Sequence, residues 1–161
     1  METRSYRTGG PGGELDSPGG SVLDNVAIIQ QFLAATSSKN VDAMTALVRE
    51  DLVFVPITAA MEGRTYEGYA GVRQFMDDLD AYWEFFETIQ EEWHDLGDRV
   101  VALGCWHARG RASGVEIHGQ PALWLAYIRD GKIARWRTYT DVAEGLEAAG
   151  LSRQEVRFSP G

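Results

Sequence analysis

His107, Arg109, Glu116 and His118 are the residues of this sequence whose types and spacing come nearest to an acid–base centre. An imidazole changes charge near neutral pH, and a neighbouring carboxylate or guanidinium can orient it or balance the charge it takes up. The turn signal Ser113-Gly114 would bring them together. A two-residue hairpin loop there sets Arg111 against Glu116, Arg109 against His118 and His107 against Gln120. Alternation puts all six on one strand face, continued by Cys105, Leu103, Ala122 and Trp124.

The opposite face carries Ala102, Gly104, Trp106, Ala108, Gly110, Ile117, Gly119, Leu123, Leu125 and Tyr127. That set is apolar and small, as expected of a sheet face packed under helices with room left over, and cores exclude unpaired charge. Two arrangements are open at this point. Either the four polar residues face a pocket and form a catalytic set, or they lie outside, in solvent or in a contact between subunits. No metal centre is indicated. His94, His107 and His118 have neither His-x-His nor His-Glu-x-x-His spacing, and the single cysteine, Cys105, allows no internal disulfide. It reads as a small buried hydrophobe, and no cofactor is implied.

The elements that would position these residues can be read in order. Residues 1–20 are rich in Gly and Pro and cannot bury enough apolar surface to offset their ordering entropy, so they read as a tail. Ser21 to Asp24 resembles a capping box, followed by Val22, Val26, Ile29 and Leu33 at helical spacing. A second helix begins near Asn40, with Val41, Met44, Leu47 and Val48 on one side. A short strand covers Asp51 to Pro56, and a third helix Gly68 to Leu79, with Val72, Phe75, Met76 and Leu79 inward. The period then changes to two. Strands are expected over Trp83 to Trp93, Val100 to Arg111, Val115 to Ile128 and Ile133 to Asp141, with turns at Gly97-Asp98, Ser113-Gly114 and Asp130-Gly131. A closing helix, capped from Asp141, ends at Gly150, and 152–161 is a C-terminal tail. Helices first and a strand meander second define an α+β domain.

The 161 residues allow one core, and a formal net charge of -9 argues against broad capture of nucleic acid or anionic membrane. There is no apolar run of spanning length and no secretory h-region, so a cytoplasmic location is expected. All five tryptophans, Trp83, Trp93, Trp106, Trp124 and Trp136, fall on strand candidates. They serve either as core and interface packing or as flat walls of a pocket for a ring system. Tyr66 and Tyr69 flank Gly68 and would edge that pocket. On the last strand, Arg135, Arg137 and Tyr139 share one face and Trp136, Thr138 and Thr140 the other. A two-residue loop sets Leu125 against Trp136; a three-residue loop with a bulge sets Trp124 there.

Several local strings add a resemblance. They are Leu52 to Pro56, Gly63 to Gly68, Leu96 to Val100, Ser113 to Glu116, Arg129 to Lys132 and Tyr139 to Leu151. In order and spacing they resemble the SnoaL-like branch of the nuclear transport factor two-like superfamily, which includes the ketosteroid isomerases, over roughly residues 21–151. The resemblance implies a cone-shaped, curved antiparallel sheet with helices packed on its concave face. It also implies a homodimer, and a small apolar molecule held between helices and sheet. It favours Trp136 and Thr138 in the pocket, with the arginines outside. The isomerase base would fall at Val55, its tyrosine donor at Phe32 and its second donor near Leu123 or Trp124; all are apolar here. The cyclase strand Gly119 to Ala126 has no acid. The epoxide hydrolase Asp-Arg-Asp pattern is broken, because Arg111 stands two residues beyond Arg109. The expected pocket is therefore Phe32, Val55, Tyr66, Tyr69, Trp83, Trp106, Leu123, Trp136 and Thr138, a binding site for a small apolar or aromatic molecule. The alternatives are an acid–base enzyme using His107 and His118 with Glu116 and Arg109, and an interaction module with a filled core.

Overall fold

Asp24 caps the first helix by accepting from the Ala27 amide at 2.7 Å, and α1 runs Asn25–Ser37 with Val26, Ile29 and Phe32 buried along one stripe. The computed structural model describes residues 24–160, so the expected tail and Ser21 to Leu23 lie outside the described residues. Asn40 caps α2 (Val41–Ala46), which leads into β1 (Val48–Val55). Two short elements that the sequence reading had not separated follow, α3 (Ile57–Glu62) and β2 (Tyr66–Glu67). Then comes α4 (Gly68–Tyr82). Gly68 opens α4 at φ +65°, and a Cβ there would stand 2.9 Å from the Glu50 carbonyl oxygen, so only glycine fits.

The remaining strands are β3 (Trp83–Asp95), β4 (Arg99–Gly110), β5 (Glu116–Arg129) and β6 (Lys132–Tyr139), followed by α5 (Val142–Ala149). They form one six-stranded sheet in the order β2-β1-β6-β5-β4-β3. The meander is antiparallel as expected. The sheet is mixed overall, because β1 lies parallel to β6, with Phe54 beside Trp136 and Val55 beside Arg137.

Both faces of this sheet are covered. The concave face carries Val100, Ala102, Trp106, Ala108, Ala122, Trp124, Ala126 and Trp136 beneath α1, α2 and α4. Helix α5 lies on the other face, where Val142, Leu146 and Ala149 pack on Val101, Leu103, Leu123 and Leu125. The segment after α5 also returns to the sheet. Glu92 accepts from the Phe158 amide at 2.6 Å and the Arg157 amide at 3.1 Å, and its other oxygen lies 2.6 Å from His94 Nε2. His94 is thus a buried structural residue on β3.

Candidate functional site

A cavity of about 260 Å³ opens between α1, α4 and the concave face. Phe32 and Leu33 reach it from α1, Phe54 from β1, Phe75 and Leu79 from α4, Trp83 and Phe86 from β3, Trp124 from β5, and Trp136 and Thr138 from β6. The wall is an interlocked aromatic cluster centred on Phe54. Its ring meets Phe75 edge-on at 5.0 Å, Phe32 at 5.8 Å and Trp136 at 5.8 Å. Such edge-to-face pairs hold one another in place and keep the space between them open. Charge is confined to the exposed end of the cavity, at Lys39, Asp80 and Glu84. Lys39, at φ +58°, places its Nζ 2.6 Å from Asp80 Oδ1, an exposed pair that links the α1–α2 turn to α4.

Of the residues expected in the pocket, Phe32, Trp83, Trp136 and Thr138 line it. Trp106 lies next to it, packed against Phe86 and Trp83 at 5.8 and 6.3 Å. Tyr66 is behind the wall, against Phe54 and Phe75, and Tyr69 is exposed. Val55 and Leu123 are corrections. Val55 is on the outward face, in a hollow shared with Val53, Arg135 and Arg137, and Leu123 is under α5.

The misplacement of Leu123 has a specific cause. Arg109 pairs with Glu116 and Ala108 with Ile117, but Trp106 then pairs with Gln120, so His118 and Gly119 bulge opposite His107. Gly119, at φ +60°, takes the bulged conformation. The extra residue moves every later side chain of β5 to the other face, bringing Gln120, Ala122 and Trp124 inward and turning Leu123 and Leu125 outward. The β5–β6 hairpin shows a similar shift. Its loop has two residues, as Arg129 pairs with Lys132, but a register shift follows and Ala126 stands opposite Trp136. Neither expected pairing of Trp136 occurs. Trp136 and Thr138 face inward nonetheless, and Arg137 stacks over Tyr139 at 5.2 Å.

The four polar candidates are brought together, on the outward side. His107, Arg109, Glu116 and His118 share an open hollow with Glu84, Phe85 and Glu87. Glu116 is clamped between the Arg109 guanidinium and His118 Nε2, the latter at 2.9 Å, and His118 first and Arg109 second hold its carboxyl below the usual range. The His118 side chain is 74% exposed, so water screens the dyad. His107 is committed to the bulge. Its Nδ1 accepts from the Gly119 amide at 3.1 Å, which leaves Nε2 facing Cys105 Sγ at 3.8 Å. Burial first, then Glu91 and Glu87, pushes the Cys105 thiol up, so it offers no thiolate at neutral pH. Arg111 is in the loop, donating to the Asp80 and Trp83 carbonyls at 3.0 Å. Among the described residues, no three His, Cys, Asp or Glu side chains converge on a metal position.

Tyr66 supports the cavity from behind. It donates to Asp78 Oδ2 at 2.6 Å, and Asp78 also receives Gln74 at 2.8 Å and Arg64 at 3.3 Å. Burial pushes Asp78 up, but these donors outweigh it and hold the carboxyl below its ordinary value. Burial first, and the Asp78 hydrogen bond second, pushes Tyr66 up to about 12. A tyrosine whose folded pKa exceeds its unfolded value of about 10 stabilises the fold below pH 10, and that contribution disappears as pH rises to about 12. Urea midpoints of the wild type are expected to fall across that window. Tyr66→Phe is expected to flatten this fall and to lower stability at neutral pH by about 1.5 kcal/mol, the size of a lost hydrogen bond to a charged group.

The α+β cone is shared with an NTF2-like protein of unknown function from Burkholderia pseudomallei (TM-score 0.64, 17% identity, covering 76% of this chain and 95% of that one). It is shared with TerC, co-crystallised with polyporic acid (TM-score 0.62, 21%, 78% and 98%). A protein of ketosteroid isomerase-like fold from Catenulispora acidiphila, in complex with trimethylamine, matches similarly (TM-score 0.62, 19%, 81% and 97%). Residues 29–136 match the SnoaL-like domain, and the chain belongs to that family. No curated protein matches the chain. Among the described residues, no helix is long and apolar enough to cross a membrane.

Among the lining residues that sequence reasoning missed are Phe54, Phe75, Leu79, Phe86 and Trp124. Phe75 and Leu79 belong to the apolar stripe already visible on α4. The bulge at Gly119 hid Trp124.

Proposed function

We propose that this protein binds a small apolar or aromatic molecule in the cavity between α1, α4 and the concave face, as a carrier or sensor without its own acid–base machinery. The observation that carries this reading is an aromatic cavity of about 260 Å³ whose charged groups all lie at the exposed end. An apolar cavity of about 150 Å³ already admits benzene, so a one- or two-ring molecule fits the dimensions. The test is quenching of tryptophan fluorescence by 1-naphthol, read through Trp83, Trp124 and Trp136. Saturable quenching with no conversion of the compound supports the proposal. Absence of saturation up to millimolar concentration, or detectable turnover, overturns it. Polyporic acid and trimethylamine, named with two of the similar structures, belong in the first ligand panel.

The alternative of an acid–base enzyme is favoured by one observation, the Arg109–Glu116–His118 arrangement. It lies in an open outward hollow that meets the cavity at the exposed Glu84 and Phe85, away from the aromatic floor. Glu116→Gln and His118→Ala are therefore expected to leave the 1-naphthol affinity unchanged within about twofold, in line with the small contribution of exposed ion pairs. A loss of tenfold or more would connect the two sites. The proposal includes a pair of chains in a cytoplasmic setting. Phe85 and Ile89, 50% and 39% exposed on β3, support the pairing, and a monomer mass in sedimentation equilibrium would contradict it.

A further inference from the structure

The cavity wall has a polar inventory, and it is one-sided. Thr36 is spent, because its hydroxyl donates to the Phe32 carbonyl at 2.8 Å. Trp136 is spent, because its indole Nε1 donates to Thr138 Oγ1 at 3.1 Å. Thr88, half-buried towards β4, accepts from Gln90 Nε2 at 3.0 Å. Thr138 is the deepest of these groups, 1% exposed, and stands across the β5–β6 pairing from Trp124. Its oxygen receives the Trp136 hydrogen, and its own hydrogen goes to no acceptor among the described residues. A hydroxyl that already accepts a hydrogen bond is a better donor, and a buried donor without an acceptor is costly. The deep wall thus supplies a donor to the ligand, and every carboxylate acceptor lies at the exposed end.

We propose that the ligand is a flat, one- or two-ring molecule bearing a carbonyl-type oxygen, and that Thr138, set by the Trp136 indole, recognises that oxygen. This rests on the binding reading above and adds the chemical class of the ligand. A ring inserted between Trp136 and Trp124 would carry its acceptor to the floor, and a hydrocarbon of the same shape would leave the Thr138 hydrogen unpaired.

The test compares 1-tetralone with tetralin, the same bicyclic frame with and without the ketone. In the wild type the ketone is expected to bind roughly three- to tenfold tighter, the equivalent of one neutral hydrogen bond. Thr138→Val, which keeps the side-chain shape and removes the unpaired hydrogen, is expected to bind both equally, with tetralin held at least as tightly as by the wild type. Thr138→Ser, which restores the hydroxyl, is expected to recover the preference. Infrared spectra of bound 1-tetralone are expected to show a carbonyl stretch lowered in the wild type and not in Thr138→Val. Equal binding of the two compounds to the wild type, or a ketone preference that survives in Thr138→Val, overturns the inference while leaving the cavity as a binding site. Failure of both compounds to bind overturns the cavity reading, and this inference with it.

Discussion

Leu79→Trp is expected to fold normally and to lose affinity for 1-naphthol by roughly thirtyfold or more, about 2 kcal/mol. Leu79 is in the last turn of α4, half-buried, with its side chain lining the cavity beside Trp83. An indole at this position occupies the space the ligand needs and removes the apolar surface it would bury. The helix itself tolerates the change, since tryptophan costs only about 0.5 kcal/mol relative to leucine at a helical position. The new ring also has an exposed end of the cavity to extend towards, so overpacking is avoided. Two measurements separate the effects: the melting temperature reports folding, and the titration reports occupancy. A variant that melts like the wild type and still binds 1-naphthol with unchanged affinity would show that this cavity is not where the ligand goes.

How much of this was legible beforehand depended on how many faces of an element are buried. Helix α4 was readable because Val72, Phe75 and Met76 are buried on one face and the opposite side is solvated, so its period survives in the sequence. The hairpins were readable as hairpins for the same reason at their polar ends. The middle of the sheet was not. Val100 to Gly104 and Ala122 to Ala126 are buried without interruption, because α1 and α4 cover one face and α5 the other. A strand covered on both sides loses its alternation, and the assignment of faces then depends entirely on register. Register in turn depended on His118 and Gly119, where one bulged residue exchanged Leu123 for Trp124 at the cavity. The polar quartet was found because three of its members lie on the hairpin side of that bulge or within it. Its outward position followed from the apolar face opposite, where Trp106 and Ala108 are buried. The short elements α3 and β2 carry too few residues to show any period.

The largest expected effect on stability comes from a position with no side chain at all. A Cβ built on Gly104 would stand 1.8 Å from the Ile89 carbonyl oxygen, 2.9 Å from its carbonyl carbon and 3.0 Å from Gln90 Cα. All three atoms are backbone of β3, which is drawn close here because its pairing with β4 shifts between Gln90 and Glu92. No rotamer change relieves such a contact, so β3 must move away by more than about 1 Å or break its ladder. Gly104→Ala is expected to cost at least about 3 kcal/mol, a large share of the 5 to 15 kcal/mol that roughly bounds a domain of this size, and to lower the melting temperature by about 10 °C. Gly114 provides the control. It sits in the β4–β5 loop at φ +71° with nothing within 4 Å of a Cβ, and Gly114→Asn, a residue that accepts this conformation, is expected to cost less than about 1 kcal/mol. The effect of Gly104→Ala also reaches the cavity, because β3 contributes Trp83, Phe86 and Thr88 to its wall. A displaced β3 would open that side, so any folded fraction of the variant is expected to bind 1-naphthol more weakly than the wild type. A melting temperature within about 2 °C of the wild type would mean that β3 yields freely at Ile89 and that this wall of the cavity is softer than its packing indicates.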